Sequence, residues 1–334
     1  MTEISRRAAL GLLPGLAALP ILPAAAQTAP GTGPGTGWPD RPVTIIVPWA
    51  PGGSTDILAR IVAEHLRGAI GQTVVVENRS GASGNIGSAA VARANPDGYT
   101  LLFGSMSTHA MNDALFTSMP FHGVDAFSPI ALLAYVTNTM VIHPSVPARN
   151  VAEFIAYAKA NPGKITYASA GVGSTNHLCA AMFAQLAGIE MVHVPYRGGA
   201  PAVLDTIAGQ TQLLFSAGTQ TFGPVREGKL RLLAVTEAQR SALLPEVPTL
   251  AETLPGAVMA VWYGAFGPAG MDPALVARLN TEINRVLMLP AVKTRMAEIG
   301  VEVVNASPAE FATTLRQDAA RWGGLIRQLG ITAD

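Results

Sequence analysis

V-T-I-I-V-P-W-A-P-G-G-S-T-D-I, residues 43–57, sets the fold class of this chain. Residues 43–47 form a hydrophobic run rich in β-branched residues, the composition of a strand. Pro48, Pro51, Gly52 and Gly53 break the run. Ser54, Thr55 and Asp56 are N-cap residue types, and Ile57, Leu58, Ile61, Val62 and Leu66 then recur at helical spacing. The stretch reads as strand, glycine-rich turn, helix N-terminus. Such a turn leaves backbone N–H groups without intrahelical partners at the positive end of a helix dipole, a place for phosphate or carboxylate alike.

The unit recurs along the chain. Residues 73–77 predict a second strand, and the loop N-R-S-G-A-S-G-N at 78–85 leads into a helix over 86–93. After the turn N-P-D-G at 95–98, a third strand spans 100–103 and closes on Gly104-Ser105. Further on, a helix is predicted over 151–160 and a strand over 165–168. The loop S-A-G-V-G-S-T at 169–175 then opens a helix over 176–187. Strands follow at 192–196, 212–215 and 230–235, with a helix over 200–208 and Ser216-Ala217-Gly218 after the middle strand. Three helices end the chain near 273–288, 291–299 and 308–329, the last opened by the capping box Ser307-Pro308-Ala309-Glu310. This alternation predicts an α/β fold with mainly parallel sheets, whose ligands sit at the carboxyl ends of the strands. Residues 130–142 and 258–266 read as extended passages out of a first lobe and back to it. The expected organisation is a signal peptide over 1–26, a flexible leader over 27–37, a discontinuous domain 1 over 38–140 and 261–334, and domain 2 over 141–260. Two Rossmann-like domains joined by a two-crossing hinge then enclose a cleft.

Composition narrows the function. Of 334 residues, 49% are hydrophobic and 13% charged, with Lys+Arg and Asp+Glu both at 22. Such a balance gives no overall attraction to nucleic acid or to an anionic membrane surface. The single cysteine, Cys179, cannot form an internal disulfide and falls in an apolar helical pattern, as a small buried hydrophobe does. At the N-terminus, Ser5-Arg6-Arg7 precedes an apolar run over 8–26 that ends Ala24-Ala25-Ala26-Gln27, a small-residue cleavage site. The paired arginines resemble a twin-arginine export signal, with Ala9 where that motif usually carries Phe, so the general secretory route stays open. A periplasmic location is expected.

Signatures of catalysis are missing. There is no G-x-S-x-G elbow, since Ser83 follows Gly81 but precedes Asn85, and no G-x-x-x-x-G-K-[ST], H-E-x-x-H or paired C-x-x-C. The six histidines are scattered, and His177 and His193 read as structural. No catalytic residue, metal ligand or resident cofactor is expected. A dinucleotide-dependent enzyme stays open as the alternative: Glu77 ends the second strand as an acid does in nucleotide-binding βαβ units, although P-G-G-S-T-D is not G-x-G-x-x-G. Three glycine-rich loops, each opening a helix, predict a cleft lined by N–H groups and small hydroxyls, able to hold a carboxylate without a formal ion pair.

The ordered segments W-P at 38–39, P-W-A-P-G-G-S-T-D at 48–56, V-E-N-R-S-G-A-S-G-N-I-G at 76–87 and P-D-G-Y-T-L-L at 96–102 form a pattern. It continues with N-P-G-K-I-T-Y at 161–167, G-V-G-S-T-N-H-L at 171–178, H-V-P-Y-R-G-G-A-P-A at 193–202 and W-Y-G-A-F-G-P-A-G at 262–270. The chain so resembles the Bug family, periplasmic solute receptors of tripartite tricarboxylate transporters. The resemblance implies a two-lobed, type II-like periplasmic-binding-protein fold, a monomer closing on a small carboxylate. Its ligand would be a di- or tricarboxylate, an acidic amino acid or an aromatic acid. It points to Gly53, Ser54 and Thr55 in the first loop, Ser83, Gly84 and Asn85 in the second, and Ser105 after the third strand, with Ser174, Thr175, Ser216 and Ala217 closing from the other lobe. Trp49 stands where the family usually has Phe or Tyr, and either packs on ligand or lids the turn. Ser83 replaces a glycine frequent in the family. The implied partners are membrane transporter subunits or, alternatively, a signalling protein.

Overall fold

The computed structural model describes residues 37–241 and 243–333; the predicted signal peptide and most of the leader lie outside them. Among the described residues, strands assemble into two sheets. The first runs β11-β4-β10-β3-β1-β2, from β1 (Val43–Val47), β2 (Val74–Asn78), β3 (Thr100–Ser105), β4 (Phe127–Val136), β10 (Val261–Pro268) and β11 (Val301–Val303). The second runs β7-β6-β8-β5-β9, from β5 (Asn138–Ile142), β6 (Ile165–Ser169), β7 (Met191–Pro195), β8 (Leu213–Ala217) and β9 (Arg231–Val235).

The opening stretch folds as read. In β1, Val43, Ile45, Ile46 and Val47 are buried, and α1 (Ser54–Ile70) buries Leu58, Ile61, Val62 and Leu66 on one face. The helix stops at Gly71, whose φ of 71° closes it in the left-handed conformation. Helices α2 (Asn85–Ala92) and α3 (Asn112–Leu115) follow in the first lobe. The second lobe holds α4 (Val151–Ala160), α5 (Thr175–Ala187), α6 (Gly199–Ile207), α7 (Gly218–Arg226) and α8 (Leu250–Thr253). The chain ends with α9 (Pro273–Leu287), α10 (Pro290–Glu298) and α11 (Pro308–Leu329). The predicted capping box forms: Ser307 accepts from the Glu310 N–H, and the Glu310 carboxylate accepts from the Ser307 N–H.

The expectation of mainly parallel sheets needs correction. β1 is parallel to β2 and β3, but β10 runs antiparallel to β3 and β4, and β11 antiparallel to β4. In the second sheet β6 is parallel to β7 and β8, while β5 is antiparallel to β8 and β9. The cause is the two passages between lobes. Both extended passages are paired strands. The chain leaves on β4 and returns on β10, so it enters the first sheet against the direction of its neighbours.

A single residue, Thr137, separates β4 in one sheet from β5 in the other. The return passage lies beside it: the Thr236 N–H donates to the Asn138 carbonyl (2.9 Å), and the Met259 N–H donates to the Thr236 carbonyl (2.7 Å). Two strands bound side by side at such a crossing let the lobes rotate about a short axis without unfolding either sheet.

Buried imidazoles give the folded chain an acid limit. His109 stacks on Phe266 at 3.8 Å, and burial pushes its pKa down to about 3. His177 and His193 stack at 4.1 Å, and burial lowers each to about 4. Between pH 6.5 and about 4 the unfolded chain takes up protons at these rings that the folded chain refuses, so stability is present above that window and drains away as pH falls through it. Glu237, which burial pushes up to about 7, acts in the opposite sense between pH 4.5 and 7, and Asp318, raised by burial, acts with it at lower pH; the three rings and the lowered Asp56 oppose them. Calorimetry is expected to give a clearly lower Tm at pH 4.5 than at pH 7. Substituting His109 by Gln should flatten that dependence.

Candidate functional site

The first loop is held from below. The Asp56 carboxylate accepts from the Gly52 N–H (2.9 Å), from Arg60 Nε (3.0 Å) and from Asn78 Nδ2 (3.0 Å). Asn78 Nδ2 also donates to the Trp49 carbonyl (3.0 Å), so the end of β2 fixes both sides of the turn after β1. Burial works to raise the Asp56 pKa, but the bonds from Arg60, Gly52 and Asn78 outweigh it and hold the carboxyl below its ordinary value. Asp56 is thus an anchor for the turn. With the turn fixed, Gly53, Ser54 and Thr55 face the cleft between the lobes.

There they meet first-turn residues of three helices from the other lobe. Ser174, Thr175 and Asn176 come from the start of α5, Gly199 from α6, and Ala217 and Gln220 from α7. Ser105 and Tyr263 complete the first lobe's wall; they are register partners on β3 and β10, so their side chains leave the sheet on one face. The cavity between the walls measures about 40 Å³, room for roughly three water molecules.

Hydroxyls and amides knit the walls across the cleft. Thr219 Oγ1 donates to Ser54 Oγ (2.7 Å), and Ser54 Oγ donates to Gln220 Oε1 (3.2 Å), which also accepts from Ser216 Oγ (3.3 Å). Tyr263 hydrogen-bonds Ser54 as well, and burial pushes the phenol pKa up to about 12, so the side chain stays neutral. A side chain at Gly199 would put its Cβ 2.4 Å from Gln220 Oε1, so that glycine makes room for the amide. Ser174 is spent locally, donating to the Gly171 carbonyl (2.7 Å) and accepting from the His177 N–H (3.4 Å).

No charged side chain lines this inner cavity among the described residues. Its positive potential comes from the N-termini of α1, α5, α6 and α7, each carrying roughly half an elementary charge from unsatisfied N–H groups. Such a cage of helix N-termini favours an anion over a cation. It offers no base: the Ser169–His193 hydrogen bond (2.6 Å) lies outside the lining, with Ser169 fully buried. Cys179 is buried, and burial drives its thiol pKa far above the ordinary range. Glu77, the acid that a ribose would need, pairs with Arg79 (2.7 Å) on the exposed side of β2 and is absent from the cavity wall.

Of the residues anticipated from sequence, Trp49, Gly53, Ser54, Thr55, Ser105, Ser174, Thr175, Ser216 and Ala217 are brought together here. The second loop is not. Asn85 is buried inside the first lobe, accepting from Asn112 Nδ2 (2.6 Å) and donating to Met119 Sδ (3.2 Å). Gly84, at φ 89°, shapes the loop where a Cβ would meet Thr108 Cγ2 at 2.5 Å. Ser83 holds a left-handed φ of 50° and donates to the Val172 carbonyl of the other lobe, outside the inner cavity. Asn138, Asn176, Gln220 and Tyr263 were not anticipated. Gln220 lies on a helix whose sequence, G-T-Q-T-F-G-P-V-R, carries two glycines and a proline. Tertiary bonds hold that helix: the Gly218 N–H donates to the Thr137 carbonyl (2.7 Å), and Thr221 Oγ1 meets Thr139 Oγ1 at 2.9 Å.

Comparison with known proteins places this geometry. The family model described as the tripartite tricarboxylate transporter family receptor matches residues 58–331. Protein BugT of Bordetella pertussis is 36% identical over 295 residues, 88% of this chain and 90% of that protein. Among solved structures, Rpa4515 of R. palustris with adipate superposes with a TM-score of 0.85 at 35% identity, covering 88% of this chain and 99% of that one. MatC from Rhodopseudomonas palustris with bound malate gives 0.83 at 30% identity, covering 86% and 100%.

Proposed function

The chain belongs to the tripartite tricarboxylate transporter receptor family, and from this we propose that it is a periplasmic solute-binding protein that captures a small carboxylate between its lobes. The observation that carries the reading is the convergence of four helix N-termini, from both lobes, on one cavity without a charged side chain. An anion there is held by N–H groups and neutral hydroxyls, as the opening stretch implied. The first-lobe contacts, from Gly53, Ser54, Thr55, Ser105 and Tyr263, form before closure. Those from Thr175, Asn176, Ala217 and Gln220 arrive only when the second lobe swings in. Ligand therefore favours the closed state by contacts that the open state lacks. Release to membrane transporter subunits follows when the lobes part. The lobe limits 38–140 with 261–334, and 141–260, belong to this reading, with the change of sheet at Thr137. So does the absence of turnover: the cage stabilises an anion and holds no group placed to attack or deprotonate it.

A thermal-shift panel of mono-, di- and tricarboxylates tests the reading. A ligand at a hundredfold excess over its Kd stabilises the folded state by about 2.7 kcal/mol, which is a shift of a few degrees in Tm. At least one carboxylate is expected to give it. If none does so at millimolar concentration, the receptor reading fails.

A further inference from the structure

Two amides in the cavity wall, Asn138 and Asn176, have their orientation decided by the protein. Asn138 opens β5 just past the crossing at Thr137 and is only 3% exposed. Its Nδ2 meets Thr236 Oγ1 at 3.1 Å. Thr236 has one hydroxyl proton and gives it to the Met259 carbonyl (2.7 Å), so toward Asn138 it can only accept. The amide nitrogen therefore faces Thr236, and it lies 3.8 Å from Cys179 Sγ. Asn176, the second residue of α5, donates from Nδ2 to the Phe215 carbonyl, which has no proton to offer. Asn138 pairs with Ala217 on β8, two residues beyond Phe215, so both amides stand at one end of the second sheet. In each planar amide the oxygen is the end left over. Neither oxygen accepts a hydrogen bond among the described residues, and neither is sealed from the cavity in the way that Asn112 Oδ1 is buried without a partner.

The other polar side chains of the wall behave differently. Serine, threonine and tyrosine hydroxyls turn to donate or accept. Gln220 Oε1 already accepts from Ser54 and Ser216, which leaves its Nε2 to donate. The two asparagine oxygens are thus fixed acceptors in a cavity whose helix N-termini hold an anion. A bare carboxylate oxygen placed against them meets lone pair with lone pair. A ligand that carries a donor beside its carboxylate pairs with them instead. An ammonium group is disfavoured by the same N-termini, and no acidic side chain lines the cavity to balance it. A hydroxyl brings the proton without the charge. We propose that the amide oxygens of Asn138 and Asn176 read a hydroxyl on the carbon next to the ligand's carboxylate, so that the protein takes 2-hydroxy acids in preference to their deoxy counterparts. This deepens the receptor reading and rests on it. The discrimination arises because a deoxy acid takes up the space and leaves the acceptors unpaired.

Calorimetric titration with pairs of acids that differ by that hydroxyl alone tests the assignment: lactate and propionate, malate and succinate, citrate and tricarballylate. In at least one pair the hydroxy acid is expected to bind about tenfold more tightly than its partner. Asn138→Ala or Asn176→Ala should close the gap in that pair. The ratio of the two affinities is the readout, because a general loss of fold or of closure weakens both acids alike. Alanine and aspartate, with an ammonium in place of the hydroxyl, should bind more weakly than lactate and malate. Wild-type protein that binds the deoxy acid as tightly as its hydroxy partner in every pair overturns the proposal, whatever the variants do. A hydroxy-acid preference that survives both substitutions overturns it too, as does tighter binding of the amino acids. Binding of another carboxylate from the thermal panel, with none of these six acids bound, overturns the 2-hydroxy assignment but keeps the receptor. Binding of no carboxylate at all removes the receptor reading and this one with it.

Discussion

Ser54→Pro is expected to cut carboxylate affinity by about two orders of magnitude, with the fold intact. The position suits proline. Ser54 is the first residue of α1, where a proline nitrogen is tolerated because the N–H has no intrahelical acceptor. Gly53 before it already has φ −76° and ψ 165°, the extended conformation that a following proline demands. The loss falls on the cage. One N–H disappears from the convergent set, and with it the hydroxyl that joins Tyr263, Thr219 and Gln220 across the cleft. Ser54→Ala separates the two parts, since it removes the hydroxyl alone and should cost about tenfold. Titration with the best carboxylate of the thermal panel, beside a melting curve without ligand, reads both quantities. A proline variant that melts and binds like the wild type would take the first turn out of the site.

Gly264→Ala should destabilise the protein by about 3 kcal/mol, the upper end of what overpacking a core costs. Gly264 lies on β10 between Tyr263 and the aromatic cluster. A Cβ there would stand 2.1 Å from Phe311 Cζ and 2.7 Å from Cε1. Phe311 has no free direction to yield. It is fully buried, edge-on to Trp262 at 5.4 Å and tilted against Phe266 at 5.0 Å. Trp262 is itself tied by its indole N–H to Asp318 (2.6 Å). The strain therefore passes into β10, which pairs with β3 and β4 and carries Tyr263 to the cavity. Urea unfolding measures the loss. The double variant Gly264→Ala/Phe311→Leu should be more stable than the sum of its parts, because the smaller side chain vacates the space that the methyl needs. An unchanged midpoint in Gly264→Ala would contradict the packing of α11 on β10.

Both variants show which parts of the molecule were legible in the chain. The turn around Ser54 is local: β-branched run, Pro and Gly breakers, N-cap types and helical spacing lie within a few residues. Ser174-Thr175 ends a glycine-rich loop that opens a helix and Ser216-Ala217 follows a strand, but it is the family resemblance that points to them as site residues. Gly84 and Asn85 carried that signal too, yet the loop's left-handed turn directs them into the first lobe. Tyr263 and Gln220 gave no local sign. Tyr263 sits in an apolar run that looks like any buried strand, and Gln220 on a segment whose glycines and proline speak against a helix.

The sequence by itself determined the α/β class, the recurrent strand–turn–helix unit and the anion-binding character of its turns, because each depends on hydrogen bonds and burial over a few neighbouring residues. Only the tertiary structure decided which turns meet. It ran β10 antiparallel through the first sheet, brought α7 to the cleft and turned Gly84 and Asn85 into the first lobe. The reason is physical: contacts between residues 54 and 220, or 264 and 311, depend on long-range packing of whole lobes, and no local pattern in the chain encodes the partner.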